Sequence, residues 1–173
     1  MRRRHGGLPY AWNWDDVHLV CLGVYPNAAN LQWLKKDLAT VSRETPVVLF
    51  FHYPMGGPFS DWWNERDKNA LAQAIAGYRV VTIFTGHYHM PGRETWQGID
   101  TFRPGSTRTG PPTFIVARLT DDRLTVAFYD WTIGEGRTPS LVTPWVETFS
   151  EPLRPAAPAS SPVASGAPVA RAN

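Results

Sequence analysis

Short apolar runs alternate with amphipathic stretches along the first half of the chain. Residues 17–24, 46–51 and 79–84 are rich in β-branched and aromatic side chains and have the length of buried β-strands. Between these runs, residues 27–41 and 61–78 carry apolar side chains at the spacing of one helical face. Strands and helices that alternate with short connections are typical of α/β layering, so the pattern predicts an α/β fold.

Each of the two amphipathic stretches has a clear apolar stripe. The stripes consist of Leu31, Leu34, Leu38 and Val41 in the first stretch and of Leu71, Ala74, Ile75 and Tyr78 in the second. Either Asn27 or Asn30 can cap the first helix, because a short polar side chain accepts a hydrogen bond from a free backbone N–H. Gly77 is placed to help end the second helix.

The pattern changes after Gly92, where short strand candidates follow one another with no helix between them. The pair 113–119 and 123–130 is separated by a short polar segment, which is typical of a hairpin. The second half of the chain is therefore predicted to be antiparallel, and the sheet structure as a whole to be mixed.

The last part of the chain differs in composition from the rest. Residues 150–173 are mainly Pro, Ala and Ser and hold almost no large apolar side chains. Such a segment cannot bury enough surface to offset the entropy of ordering, so we predict a disordered tail. Residues 1–149 are predicted to hold the folded part, as a single unit without internal repeats.

The composition excludes several classes of protein. Of the 173 residues, 43% are hydrophobic and 18% are charged, and the net charge is only +2. Three basic residues are adjacent at positions 2–4, so the remainder is near neutral and predicts neither nucleic-acid nor membrane binding. We find no transmembrane segment and no signal peptide, and the compartment stays unknown. Cys21 is the single cysteine, which excludes internal disulfides and cysteine-cluster zinc sites, and its apolar surroundings predict a buried thiol.

Three of the five histidines directly follow predicted strands. His52 follows "VVLFF", and His87 and His89 follow "VVTIFTG". In α/β sheets ligands collect beyond the carboxyl ends of the strands, so three imidazoles are expected at one edge. Neutral imidazole is the commonest nitrogen donor to metal ions, which makes His52, His87 and His89 the candidate metal ligands. The alternative is that each histidine only forms hydrogen bonds within a loop.

The spacing of His87 and His89 allows two arrangements. On extended backbone their rings point to the same side, whereas at a turn they can diverge towards two metals. Gly86 permits the tight bend that such a turn needs, with a positive φ.

These motifs resemble those of a known family. "VVLFFHYP" and "FTGHYHMPG" resemble the last two metal-binding motifs of the calcineurin-like metallophosphoesterases. "DDVHLVCLGV" and "LQWLKKDL" resemble the strand and the helix that precede the first of those motifs in the family. The resemblance covers about residues 10 to 130.

The resemblance implies a four-layer α/β/β/α sandwich with a mixed sheet and a site for two divalent metal ions, which are Mn, Fe or Zn. His52 and His87 would bind one metal and His89 the other. The two ions would hold the phosphate of an ester and activate water for in-line attack. The activity implied is that of a metal-dependent phosphoesterase, a hydrolase whose partner is a phosphate ester substrate; no residue is assigned a catalytic role.

The earlier motifs of the family are missing. They have the forms Asp-x-His, Gly-Asp-x-x-Asp and Gly-Asn-His-Asp/Glu, and the sequence contains no Gly-Asp or Asn-His pair. Asp16-Val17-His18 fits the first form but precedes its strand, so we interpret the match as chance and His18 as a strand residue. The bridging carboxylate, the asparagine ligand and the histidine proton donor are then absent, and the chain is interpreted as the C-terminal half of a metallophosphoesterase domain. We expect little activity from this chain alone, and self-association through exposed apolar surface.

Two other interpretations stay open at this point. One is a non-catalytic remnant that binds metal weakly or acts only through association. The other is a cupin, because His87, His89 and Glu94 have the spacing of its first metal motif, although no histidine follows His89 to complete the second. The two helical stretches fit a cupin poorly.

Tyr53, Tyr88 and Arg93 are further candidates for contact with a phosphate.

Overall fold

The computed structural model describes residues 8–56, 63–107, 112–130, 140–141 and 149–152. In these residues the chain forms ten strands and two helices. The strands are β1 (Tyr10–Trp14), β2 (Val17–Gly23), β3 (Val47–Phe51), β4 (Val80–Phe84), β5 (Gly92–Trp96), β6 (Ile99–Arg103), β7 (Thr113–Leu119), β8 (Arg123–Asp130), β9 (Ser140–Leu141) and β10 (Phe149–Pro152), and the helices are α1 (Ala28–Leu38) and α2 (Glu65–Ile75).

A six-stranded mixed sheet has the strand order β1-β2-β3-β4-β6-β5. Its four inner strands are parallel, and β1 and β5 pair antiparallel at the two edges. The inner strands β2, β3 and β4 are rich in Val, Leu and Phe, which is typical of strands that are covered on both faces. Because these strands are parallel, the segments that follow β3 and β4 leave the sheet at the same edge.

Both helices pack on one face of this sheet, and their ends follow from the sequence. At the start of α1, Oδ1 of Asn27 accepts a hydrogen bond from the N–H of Asn30 at 3.0 Å. Of the two predicted candidates, Asn27 is therefore the one that caps the helix. Oδ1 of Asn64 accepts from the N–H of Asp67 at 2.9 Å at the start of α2. Gly77 follows α2 with a φ of +76°, which confirms its predicted place at the end of that helix. The core between helices and sheet includes Val20, Leu22, Leu34, Leu38, Leu49, Leu71 and Ile83.

A second, four-stranded antiparallel sheet covers part of the opposite face. Its strand β8 pairs with β7, β9 and β10. Leu124, Val126 and Phe128 of β8 pack against Val48 and Phe102 of the six-stranded sheet and form a second core. The layers are therefore helices, sheet and sheet, which confirms the predicted α/β sandwich with a mixed sheet; within the described ranges no helix covers the outer face of the second sheet.

Several boundaries differ from the prediction. The second helix begins at Glu65 rather than near residue 61, because Asn64 supplies its cap. Strand β10 includes residues 150–152, so the predicted tail starts too early, and residues 153–173 lie outside the described residues. Cys21 is half-buried rather than buried, because it borders a cavity between the two sheets.

Two edge strands of the central sheet were not predicted. The sequences of β1, "YAWNW", and β5, "GRETW", mix polar and aromatic residues and lack the apolar runs of the inner strands. Each helix has eleven residues, and in the described part of the chain none has the length and hydrophobicity of a transmembrane span.

Candidate metal centre

The candidate ligands follow two neighbouring parallel strands. His52 directly follows β3, and His87 and His89 follow β4 after a short connection. The N–H of Gly86 donates to the carbonyl oxygen of His52 at 2.9 Å, which joins the two connections directly. The N–H of His52 in turn contacts the carbonyl oxygens of Gly23 and Val24, at 3.0 and 2.9 Å. Parallel pairing thus brings the histidine segments to one edge of the sheet, as predicted.

The rings of His52 and His87 lie in contact. Nδ1 of His87 is 3.1 Å from Nε2 of His52, and the ring centroids are 5.0 Å apart with planes at 83°. Two imidazole nitrogens that share one ion are separated by about 3.0 to 3.4 Å, because each lies about 2.1 Å from the ion at octahedral to tetrahedral angles. The observed separation therefore fits a shared cation as well as a hydrogen bond between the two rings.

His89 lies nearby but does not complete a three-ligand group. It is exposed and lines the same cavity as His52 and His87. Among the residues that the structure describes, no three His, Cys, Asp or Glu side chains are arranged to hold a metal ion. The structure brings two of the three predicted ligands together, and a role for His89 in binding a second ion stays a prediction.

The local backbone differs from the predicted bend. Positive φ values occur at His87 and His89, +75° and +57°, and not at Gly86. Glycine is favoured at position 86 for another reason: a Cβ there would lie 3.2 Å from Nδ1 of His52. Left-handed conformations at two non-glycine residues are strained, and they persist only where the surrounding structure fixes them.

The surroundings of His52 favour its neutral ring. Partial burial lowers the pKa of His52 below its usual 6.5, and the neighbouring His87 and His89 lower it further, because each disfavours a second positive charge. Metal ions bind the neutral imidazole. His52 is therefore held in the protonation state that a cation ligand requires at neutral pH.

A cavity of about 1000 Å³ opens beside the histidines between the two sheets. Its wall on the six-stranded sheet is aromatic: the rings of Trp12 and Phe50 have centroids 6.1 Å apart, and those of Phe50 and Phe84 are 5.4 Å apart. Ile115 of β7 belongs to the opposite wall. No described residue of the lining is Asp or Glu, so the cavity supplies apolar surface but no carboxylate to the metal centre.

The tryptophans of this wall were missed in the sequence. Trp12 and Trp14 alternate with Ala11 and Asn13 along β1, so that both tryptophans face the cavity, and 63% of Trp14 is exposed. The period-two alternation of "YAWNW" was the available signal. Trp63, in contrast, is buried, and its indole N–H donates to the carbonyl oxygen of Pro54 at 2.8 Å.

The Asp-x-His match at residues 16–18 has a structural role. Nε2 of His18 lies 2.8 Å from Oδ2 of Asp37 in α1, and its Nδ1 lies 2.6 Å from Oδ1 of Asn13 in β1. Only 5% of His18 is exposed, and it does not line the cavity. His18 is a strand residue of β2, as predicted, and ties the sheet to the helix.

The hairpin of β5 and β6 engages the other polar candidates. Nε of Arg93 donates to Oδ2 of Asp100 at 3.0 Å, and NH1 of Arg103 donates to Oε1 of Glu94 at 3.4 Å. Glu94 thus faces an arginine and is not grouped with the histidines. A mixed sheet with a parallel centre, covered by two helices, also differs from the double-stranded β-helix of a cupin, so the cupin interpretation is wrong.

Comparisons with known proteins agree with the fold. No family profile matches the sequence. Purple acid phosphatase 15 of Arabidopsis thaliana is 34% identical over 90 residues, which cover 47% of this chain and 17% of that protein. A probable cyclic nucleotide phosphodiesterase of Rhodopseudomonas palustris is 32% identical over 78 residues, which cover 41% of this chain and 27% of that protein. The chain therefore spans less than a third of either relative.

The fold also resembles that of a solved structure at low sequence identity. GAP50, described as the anchor in the inner membrane complex of Plasmodium, matches with a TM-score of 0.55 and 11% identity, over 78% of this chain and 52% of that chain. A dimetal phosphatase from Danio rerio matches with a TM-score of 0.49 and 23% identity, over 59% of this chain and 35% of that chain.

The partial similarity to a purple acid phosphatase and to a probable cyclic nucleotide phosphodiesterase supports a relationship to the calcineurin-like metallophosphoesterases. The likeness to GAP50 concerns the fold alone. By their names, one of the two curated relatives is a phosphatase and the other a probable phosphodiesterase.

Proposed function

We propose that this chain is the C-terminal part of a metal-dependent phosphoesterase, in which His52 and His87 bind one divalent cation and His89 binds a second. The observation that carries the proposal is the 3.1 Å separation of Nδ1 of His87 from Nε2 of His52, at the ends of neighbouring parallel strands. The Arabidopsis and Rhodopseudomonas relatives support a phosphate ester as the substrate class.

In this proposal the residues of this chain bind and orient the cations and do not themselves react with the substrate. When bound, divalent cations supply Lewis-acid chemistry and lower the pKa of water. His52, kept neutral by its surroundings, and His87, held in a left-handed backbone conformation, present nitrogen donors at the sheet edge. We assign no nucleophile or proton donor among the described residues, and we propose that groups outside them supply these roles.

We further propose that the site is completed by a polypeptide segment outside the described residues, which covers the cavity and brings carboxylate ligands. Three features support this. The strand β7 ends the order of its sheet within the described ranges. Oγ1 of Thr85, next to Gly86, is buried and has no hydrogen-bond partner among the described residues. The chain also matches only 17% to 27% of the length of its curated relatives.

A non-catalytic, metal-binding remnant is the second candidate. It is favoured by the absence, in the described residues, of any three-member group that could hold a metal ion. Two imidazoles alone bind a cation weakly, because most protein sites for these metals use three or four ligands. The two candidates differ in whether added carboxylate ligands restore turnover.

The test combines binding with activity. Zinc titration by calorimetry is expected to show a weak site that is lost in His52→Ala and in His87→Ala. With manganese and an aryl phosphodiester, we expect little turnover from the chain alone and a clear increase when a segment that carries the three missing motifs is fused to its N-terminus. Zinc binding without such an increase would support the remnant, and no zinc binding would contradict both.

A further inference from the structure

Tyr88 connects the two segments that carry the candidate ligands. Its hydroxyl donates to the carbonyl oxygen of Gly56 at 3.0 Å, and Gly56 lies in the segment that begins with His52. Its backbone N–H donates to the carbonyl oxygen of Gly86 at 3.0 Å. The side chain thus adds a second link between the segments, besides the backbone bond between Gly86 and His52.

Arg103 holds the ring of Tyr88 from the neighbouring hairpin. Its guanidinium carbon lies 5.0 Å from the centroid of the Tyr88 ring, within the range of a cation–π contact. The guanidinium is largely buried, with 16% of the side chain exposed, and NH1 donates to Oε1 of Glu94 at 3.4 Å. A Cβ at Gly92 would lie 2.5 Å from NH2, so glycine at that position makes room for the guanidinium.

Glu94 packs against the segment that begins with His52. A Cβ at Gly56 would lie 2.9 Å from Oε2 of Glu94, so the carboxylate packs against the same residue that accepts from Tyr88. We call Gly56, Tyr88, Glu94 and Arg103 the Tyr88 brace. None of the four lines the cavity, so their contacts are made behind the site and not in it.

The position of Tyr88 in the chain indicates which residues the Tyr88 brace holds in place. Both neighbours, His87 and His89, have left-handed backbone conformations. Such conformations are retained only where other contacts fix the chain. A tyrosine tied at its hydroxyl, its ring and its amide fixes the peptide units on either side.

We propose that Tyr88 is a positioning residue, which holds His87 within bonding distance of His52. The consequence for cation binding rests on the proposed function, but the positioning does not. Residues that orient ligands from behind change metal affinity by roughly 10- to 100-fold when they are altered. The variant Tyr88→Phe removes the hydroxyl alone and keeps the ring beneath Arg103.

Tyr78 offers a matched control. It also lies beneath an arginine, with the guanidinium carbon of Arg43 3.7 Å from its ring centroid, but it precedes β4 at the opposite end of that strand from the histidines. The variant Tyr78→Phe therefore makes the same chemical change away from the site.

The first measurement is made on metal-free protein. In Tyr88→Phe we expect faster amide hydrogen exchange at Gly86 and Tyr88, and a weaker nuclear Overhauser effect between the rings of His52 and His87, with α1 unchanged. Tyr78→Phe is expected to behave as wild type. Unaltered exchange and ring contact in Tyr88→Phe would overturn the proposal whether or not the protein binds metal.

The second measurement is the zinc affinity, which is monitored through the NMR signals of the His52 and His87 rings. We expect Tyr88→Phe to weaken binding about tenfold, Arg103→Lys to retain most of the affinity and Arg103→Met to lose it. Equal zinc affinity in wild type, Tyr88→Phe, Arg103→Lys and Arg103→Met would contradict the proposal. If wild type bound no zinc, the proposed function would fail, while the exchange data would still decide the role of Tyr88.

Discussion

Gly86 lies against the imidazole of His52, and a Cβ at position 86 would be 3.2 Å from Nδ1 of that ring. The contact joins the connection after β4 to the first residue after β3. It explains why glycine precedes the His-x-His motif here, since the φ of Gly86 is not positive. The space available to the His52 ring is therefore set by the residue before His87.

Replacing Gly86 by alanine is expected to displace the ring of His52 and leave the fold intact. The backbone at position 86 accepts a side chain, and the exposed ring can move by a few tenths of an ångström. We expect zinc affinity to fall about tenfold, as for other changes that disturb ligand orientation, with a change in unfolding free energy within about 1 kcal/mol. Calorimetric zinc titration and urea denaturation measure the two effects, and an unchanged affinity would refute the steric argument.

The lowered pKa of His52 predicts a pH dependence with a definite sign. The unfolded chain takes up a proton near 6.5, whereas folded His52 takes it up only at lower pH, because burial, His87 and His89 disfavour the charge. Its contribution to stability is therefore present above 6.5 and is lost as the pH falls through that value towards the folded pKa.

Titration of the imidazole signals by NMR measures the shift directly. His52 should titrate below 6.5 in wild type and move back towards that value in His87→Ala, where one of the two neighbouring charges is removed. A His52 signal that titrates above 6.5 would contradict the prediction.

His18 is expected to contribute to stability and not to metal binding. The variant His18→Gln leaves the partly buried Asp37 carboxylate with a poorer partner. A polar group that loses its hydrogen bond inside the protein costs roughly 1 to 3 kcal/mol. We expect a lower urea midpoint with zinc affinity unchanged. A selective loss of zinc binding would instead make Asp16-Val17-His18 a true metal motif.

The exposed tryptophans of the aromatic wall predict self-association of the isolated chain. Trp14 is 63% exposed and lies at the rim of the cavity, next to Trp12, which is 36% exposed. Exposed apolar patches of this kind associate, so we propose that a second copy of the chain covers the wall when no other segment does.

The variant Trp14→Ser should shift the chain towards monomer in sedimentation experiments. Val116→Ser provides the control, because Val116 is 44% exposed but does not line the cavity. A wild-type chain that is monomeric at high concentration would refute the prediction.

Much of the fold could be predicted because inner strands and helices carry strong local signals. The runs that became β2, β3 and β4 are apolar on both faces, and Asn27 caps α1 by a bond between near neighbours in sequence. The proximity of His52 and His87 followed from the rule that parallel strands end at one edge.

The remaining features depend on contacts between distant residues. The pairing of β5 with β6 places Glu94 beside Arg103 and Arg103 over Tyr88. The polar sequence of β5 gives no sign of this pairing. Gly86 was correctly singled out, but its reason is a neighbouring ring from another strand and not its own φ.

The most direct test of the account is a zinc titration of the chain monitored through the nitrogen signals of its imidazoles. We expect Nε2 of His52 and Nδ1 of His87 to shift together and saturate at one zinc ion per chain, while His18 stays unchanged. If zinc left the signals of His52 and His87 unmoved, or shifted one of them without the other, the two rings would not form a cation site and the proposed function would be wrong.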